Sequence, residues 1–430
     1  LHKSTWTEVQ TQPLITSLLS LEIWIVGLVV AASVVSERFL LPAIVTAASF
    51  WILRWLASGQ VSIRTAADGA ILLLICMLPI TLLVTNMPEV TNPQVYRVIS
   101  GIALFYAIVN WTTSRERLQV LISGILLLGV LLAGAAIVTV EWSTAKRGMI
   151  PRSFYSHIPL LVSDPINPNV MAGLLLLLLP FPLGLLLFAW QTTRWPTHLL
   201  AAFSLISAAG VFFLAQSRGG MIALVIMLAA MVFLRWRYGW VGLLGLLLIA
   251  TFVVQTNWES KAIQHYTHNG QLIRSTNERF ELWSRAWELI QLHPITGVGM
   301  GTYEQVVADT HPFDLVYVGL EFQQTGRGAH AHNLFLQIAV DLGIPGLLAW
   351  LTIITMVLRA AWRVYRTGKQ EQQSWIQGIG AGLICSQVAL LAHGLLDAVA
   401  WGMVRPSVMV WGLWGLTIAA EKRLAVEPDQ

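Results

Sequence analysis

RGAHAHNLFLQIAVDLGIPG, residues 327–346, is the stretch that decides the class of this chain. Its first six residues close a long polar segment and carry His330 and His332, and from Asn333 an apolar run extends to about residue 358. A bilayer core is crossed by about 20 apolar residues as helix, so residues 333–358 read as a membrane span. His332 then stands at the water end of that span, followed by Asn333, nine residues, Gly343, two residues and Gly346. An imidazole there keeps access to water and titrates near neutrality, so it can exchange protons. Asn333 has the chemistry of an N-cap that would start the helix and fix the histidine beside it.

The rest of the composition agrees with a membrane setting. The chain has 430 residues, 56% hydrophobic and 11% charged, with mean hydropathy +0.67. Soluble domains carry roughly 25% charged residues, so an integral membrane protein follows. The net charge of +4 forms no single basic stripe, and no nucleic-acid partner is expected. Cys76 and Cys385 lie in apolar runs and read as packing residues, with no disulfide or metal spacing. The first long apolar stretch is long enough to stay in the bilayer and does not read as a cleaved signal. Tryptophans near the ends of apolar runs, Trp51, Trp55, Trp236 and Trp240, suit interfacial anchors.

Twelve spans are expected, near 14–35, 39–57, 70–86, 95–112, 118–140, 169–189, 198–215, 219–235, 239–256, 333–358, 377–399 and 401–420. Arg54, Arg64, Arg115, Arg117, Arg194, Arg235, Arg237, Arg359, Arg363, Arg366, Lys369, Lys422 and Arg423 then fall on one side. The positive-inside rule makes that side, with both termini, cytoplasmic. Two long connections, 141–168 and 257–332, face the other side. No repeat or low-complexity linker divides the chain, so residues 1–430 read as one transmembrane domain with an extracytoplasmic loop at 257–332.

Within the larger loop, Ser275 to Glu278 has capping-box spacing, and Phe280, Trp283, Trp287 and Ile290 recur at three- and four-residue steps. This predicts an amphipathic helix over about 277–292, ending before Pro294, with its aromatic face on the membrane surface or over a cavity. Gly297, Gly299 and Gly301 in TGVGMGTY, which ends in Tyr303, predict a flexible turn. No strand precedes it and the spacing differs from a dinucleotide fingerprint.

Arg218 in QSRGG, Arg279 at the start of the loop helix and Arg327 before the histidines reach the same face from separate parts of the chain. Guanidinium groups suit a phosphate because each makes two parallel charge-assisted hydrogen bonds. The competing readings are a snorkelling Arg218 and a solvated Arg279, with Arg285 and Arg327 weaker candidates. His332 is the candidate base, with His330 as its orienting partner. His393 and Asp397, four residues apart in an apolar run, are an ionisable pair that serves function or a buried hydrogen bond. In INPNVMAG, Asn167 and Asn169 open an apolar segment, and capping accounts for one of them. Pro180 and Pro182 kink or break that segment.

Gly-x-Ser-x-Gly, P-loop, His-Glu-x-x-His and paired-cysteine motifs do not occur. Asp309 and Asp314 are too far apart to act as an Asp-x-Asp pair, so no metal and no cofactor is expected.

HNLFLQIAVDLGIPG, together with QSRGG, the Glu278-Arg279 pair, HPITGVGMGTY and INPN in this order, resembles the O-antigen ligase and polymerase superfamily of bacterial envelope glycosyltransferases. The resemblance spans roughly residues 150–400. It implies an all-α polytopic membrane protein of the C-type glycosyltransferase kind, with its active site on the extracytoplasmic face of the bacterial inner membrane. It also implies inverting, metal-independent transfer of a glycan from a polyprenyl (undecaprenyl-type) diphosphate carrier to an acceptor hydroxyl, as in lipopolysaccharide assembly. Arg218 and Arg279 would hold the diphosphate and His332 would be the base. Tyr303, Asn169, His330, Asn333, Arg327, His393 and Asp397 would support them. The acceptor is a glycan, lipid or protein, because ligases, repeat-unit polymerases and protein O-oligosaccharyltransferases share the signature. Residues 146–163, with Arg147, Arg152 and His157, do not align with the family pattern. In another class, twelve spans also suit a flippase or small-solute transporter, which would concentrate polar residues in broken helices at the midplane. A non-catalytic scaffold would leave His332 and the arginines without a purpose.

Overall fold

The computed structural model describes residues 13–142, 150, 152–239, 241, 271–310 and 330–424. These residues are almost wholly helical, and the β structure among them is an isolated bridge between Val140 and Ile166. In order the helices are α1 (Pro13–Ser20), α2 (Glu22–Val35), α3 (Leu40–Ser58), α4 (Asp68–Val84), α5 (Pro88–Trp111) and α6 (Arg115–Thr139). Then follow α7 (Arg152–Tyr155), α8 (Pro168–Leu178), α9 (Pro180–Phe188), α10 (Trp195–Ala215), α11 (Arg218–Arg235), α12 (Gln271–Leu292), α13 (Tyr303–Thr310), α14 (Leu334–Gln370), α15 (Ser374–Gly394) and α16 (Val408–Leu424).

Among the described residues, seven helices are long and apolar enough to cross a membrane, with α8 and α9 counted as one. They form two tiers. The α8–α9 unit, α14 and α15 are mostly buried, whereas α3, α6, α10 and α11 bury only a minor share of their residues. The outer tier leaves Leu131 and Ile206 exposed, and the neighbouring α2 and α4 do the same with Leu28 and Leu83. So much apolar surface is tenable only against lipid. The protein is therefore a multi-pass membrane protein. At the centre α9 and α15 approach backbone to backbone: a Cβ on Gly184 would lie 2.4 Å from the Gly378 carbonyl oxygen, so both positions need glycine.

Several boundaries differ from the sequence expectation. The 14–35 span is split at Leu21 into α1 and α2. The span expected at 377–399 ends at Gly394, and the next helix starts only at Val408 after a 3-10 turn, Arg405–Ser407. Asp397 thus lies in a non-helical corner rather than inside a helix. The 239–256 span and Trp240 lie outside the described residues. Pro180 marks a join between α8 and α9 at which Leu179 keeps helical angles, so the unit continues without opening. Cys385 is buried as expected, but Cys76 is exposed on α4.

The loop helix exists, but it begins earlier than its capping-box signal. α12 is already helical at Gln271, so Ser275 to Glu278 lie within it. Its buried stripe is Leu282, Ala286, Leu289 and Ile290, packed with Ala339 and Val340 of α14. Of the expected aromatic stripe, Phe280 and Trp287 are exposed away from α14, while Ile290 joins the buried side. The glycine segment after it is a docked turn rather than a flexible one. The Val298 N–H donates to the Val340 carbonyl at 2.8 Å, and the Ile344 N–H donates to the Pro294 carbonyl at 2.7 Å.

That docking explains why α14 breaks. Gly343 has φ 70° and ψ −177°, a conformation essentially confined to glycine. A Cβ there would sit 2.4 Å from the Ile295 carbonyl oxygen, and one on Gly297 would sit 2.5 Å from that of Val340. Gly343 therefore receives the loop. Gly346 faces only the Leu342 side chain. The break divides the 37-residue α14 into a short segment beginning just after the histidines and a long one.

Candidate functional site

The N-terminus of α14 is closed by Asn333, whose side-chain oxygen accepts from the N–H groups of Phe335 (3.0 Å) and Leu336 (3.1 Å), as the sequence suggested. Its Nδ2 donates to the Leu395 carbonyl at 3.2 Å, tying the cap to the corner after α15. Leu334 packs against Gly394, so the start of α14 and the end of α15 lie side by side. The result brings His330, His332 and Asp397 together.

His330 Nε2 lies 2.9 Å from Asp397 Oδ1 and donates to it. His332 Nδ1 is 3.4 Å from the same oxygen without an aligned hydrogen bond, and the two imidazole centroids are 4.0 Å apart. Asp397 Oδ1 also accepts from the Ala398 N–H at 2.9 Å. His332 itself has φ 46°, the left-handed region that a side chain rarely adopts without support. The sequence pairing of His393 with Asp397 is thus superseded by a closer one. No local pattern announces it, since 65 residues separate His332 from Asp397.

Electrostatics tune the two partners in opposite ways. Burial lowers the His332 pKa, and the neighbouring His330 and Arg279 add to that effect against the pull of Asp397. The His332 imidazole is therefore favoured in its neutral form. Burial alone would raise the Asp397 carboxyl, but the His330 hydrogen bond and the close approach of both imidazoles hold it well below the usual carboxylate range. It stays ionised.

The other candidates distribute as follows. Arg279 is near enough for its charge to act on both His332 and His393, so α12 does bring it to the cluster. Arg218 opens α11 next to Gly219, where a Cβ would lie 3.3 Å from Leu396 Cβ, beside Asp397 in the corner. Neither arginine has an ion-pair or hydrogen-bond partner among the described residues. Arg327 and Arg147 lie outside the described residues. Arg285 is taken up by Glu281 and Glu288 on its own helix. Tyr303 is buried and donates its hydroxyl to the Leu282 carbonyl at 2.8 Å, which binds α13 to α12. Asn167 is the N-cap of α8 and accepts from the Asn169 N–H at 2.8 Å. His157 is bonded locally to the Ser153 carbonyl.

His393 is buried with its Nε2 unpartnered. It lines a pocket of about one water's size with Gly173, Leu174, Leu177 and Asp397. The cluster also has a donor set that no sequence spacing revealed: one ligand atom each from His330, His332 and Asp397, all within 4.8 Å. Two residues that sequence reasoning passed over complete the surroundings, Gln337 and Asp341. Their signal was present, because Asn333, Gln337 and Asp341 recur every four residues on one face of an apolar helix.

The fold and site together are those of a multi-pass helical membrane protein with a histidine and carboxylate cluster at one end and, among the described residues, two unpaired arginines near it. Residues 202–351, which contain both arginines, the loop and the start of α14, match the family model described as O-antigen ligase. The match supports the resemblance to the O-antigen ligase and polymerase superfamily and, with it, a glycosyltransferase-type function in general. The matched segment is narrower than the expected 150–400 and leaves out Asp397. No curated protein matches the chain.

Proposed function

We propose that the protein is an inverting, metal-independent glycosyltransferase that moves a glycan from a polyprenyl-diphosphate carrier to an acceptor hydroxyl in envelope polysaccharide assembly. The observation that carries this reading is His332: a neutral imidazole in a left-handed backbone, with Nδ1 turned to an ionised carboxylate. That arrangement frees Nε2 to take a proton, while Asp397 stabilises the imidazolium that forms.

In the reaction, the acceptor oxygen attacks the anomeric carbon from the face opposite the diphosphate and loses its proton to His332. The bond from the anomeric carbon to the phosphate oxygen breaks, and its electron pair leaves with the polyprenyl diphosphate. Arg218 and Arg279 meet that developing charge, so no separate acid is needed. The open state of both guanidiniums supports this role.

The site lies on the extracytoplasmic face of the inner membrane in this reading, with both termini cytoplasmic. The opposite end of the bundle supports it: Lys422 donates to the Arg64 carbonyl, Arg115 to Gln373 and Arg423 to the Thr112 carbonyl. The short basic connections therefore gather at one end. Purified protein is to be incubated with a defined polyprenyl-diphosphate glycan and a panel of glycan, lipid and protein acceptors. Formation of an inverted glycoside with one of them is expected. Movement of the intact lipid-linked glycan across the bilayer without any transfer would instead favour a flippase.

A further inference from the structure

Asp341 is wholly buried and acts only as an acceptor. Its Oδ2 takes the Trp401 Nε1–H at 2.7 Å, and its Oδ1 takes the Gln337 Nε2–H at 2.9 Å and the Gly301 N–H at 3.2 Å. One carboxylate thus joins α14, the docked glycine turn and the corner that holds Asp397. Gln337, also wholly buried, has its amide oriented by this contact, so that Oε1 points back and accepts the Ala331 N–H at 2.9 Å. Ala331 is the residue between His330 and His332, and it too is completely buried. The relay therefore ends on the peptide that sets both imidazoles, one residue before the left-handed angle of His332.

A helix N-terminus needs only its cap, and Asn333 already supplies that. The reach from Gln337 to Ala331 goes past the cap and holds the chain outside the helix. We propose that Gln337, oriented by Asp341, is a positioning residue for His332, and that it holds the base in the geometry of proton transfer without touching substrate. The inference rests on the reading of His332 as the base. A reacting group displaced by about 1 Å can lose on the order of 10²-fold in rate, so a misplaced imidazole should be felt in turnover rather than in binding.

The test uses the full-length protein in lipid, the polyprenyl-diphosphate glycan and an acceptor that is turned over. Gln337→Met keeps the length of the side chain and removes both hydrogen bonds. It is expected to lower kcat by about tenfold or more, with the donor KM within about twofold of the parent. Added to His332→Ala, it should cost nothing further. An unchanged kcat in Gln337→Met, alongside inactive His332→Ala, would overturn the positioning role and leave the base assignment standing. Full activity in His332→Ala would overturn the base assignment itself. A loss in Gln337→Met that persists on the His332→Ala background would show general damage and also overturn the proposal.

Discussion

Two charged clusters lean on the corner between α15 and α16, and they are built in opposite ways. Around Arg405, every charge is answered. Arg97 pairs with Glu37 and donates to the Gly402 carbonyl, while Arg405 reaches Asp164 at 2.8 Å and Glu37 at 3.6 Å. Around Asp397, eight residues earlier, one carboxylate faces two histidines. Arg218 and Arg279 have no partner among the described residues, and buried nitrogens of His332 and His393 are left without a hydrogen bond. Ionisable groups left without partners beside a buried carboxylate mark a candidate site. The first cluster holds the corner; in the proposed function the second uses it.

The largest effect should come from removing the base. His332→Ala is expected to lower transfer by about 10²- to 10⁴-fold while the thermal unfolding midpoint stays near that of the parent. Full activity would erase the distinction between the two clusters. Next come the open arginines. Arg218→Lys and Arg279→Lys keep the charge but lose the planar fork, and each should cost on the order of 10²-fold in turnover.

Arg97→Met tests the closed cluster from the other direction. It should cost about 1–3 kcal/mol of stability through the lost carbonyl and carboxylate contacts, with the transfer rate of the folded fraction little changed. A rate loss matching that of Arg279→Lys would show the two clusters to be one. A subtler contrast lies in pH. A base works only when neutral, so activity falls as pH drops through the folded pKa of His332, which burial and the neighbouring cations hold below the ordinary imidazole value. Arg279→Gln removes one of those cations and should move the acid limb of the residual activity upward. A downward move would mean that Arg279 does not act on His332. The smallest expected effect is that of a chelator: EDTA should leave activity unchanged, and a requirement for added divalent metal would turn the His330, His332 and Asp397 group into a metal site.

Much of the site was legible in one dimension. The His332-Asn333 junction, the cap and the helix after it follow from polarity, capping chemistry and span length, all of which are local. The amphipathic α12 was legible in existence and in its C-terminal end, but not in where it starts or in which residues pack against α14. Its aromatic residues have the stronger periodic signal, yet the smaller Ala286 and Leu289 are what fit against α14. Asp397 was read as the partner of His393 because helical spacing was the only geometry available. Once α15 ends at Gly394, the carboxylate turns toward residues 65 or more positions away in the chain.

The sequence by itself determined that this is a helical membrane protein with its candidate site residues gathered near one end of the spans. Those properties depend on hydropathy summed over windows of about 20 residues and on side-chain types near their ends. Only the tertiary structure decided which carboxylate serves the histidines, why Gly343 must break α14 and how Asp341 reaches Ala331 through Gln337. Each of these depends on segments far apart in the chain meeting within hydrogen-bonding distance, which no local pattern of residues can specify.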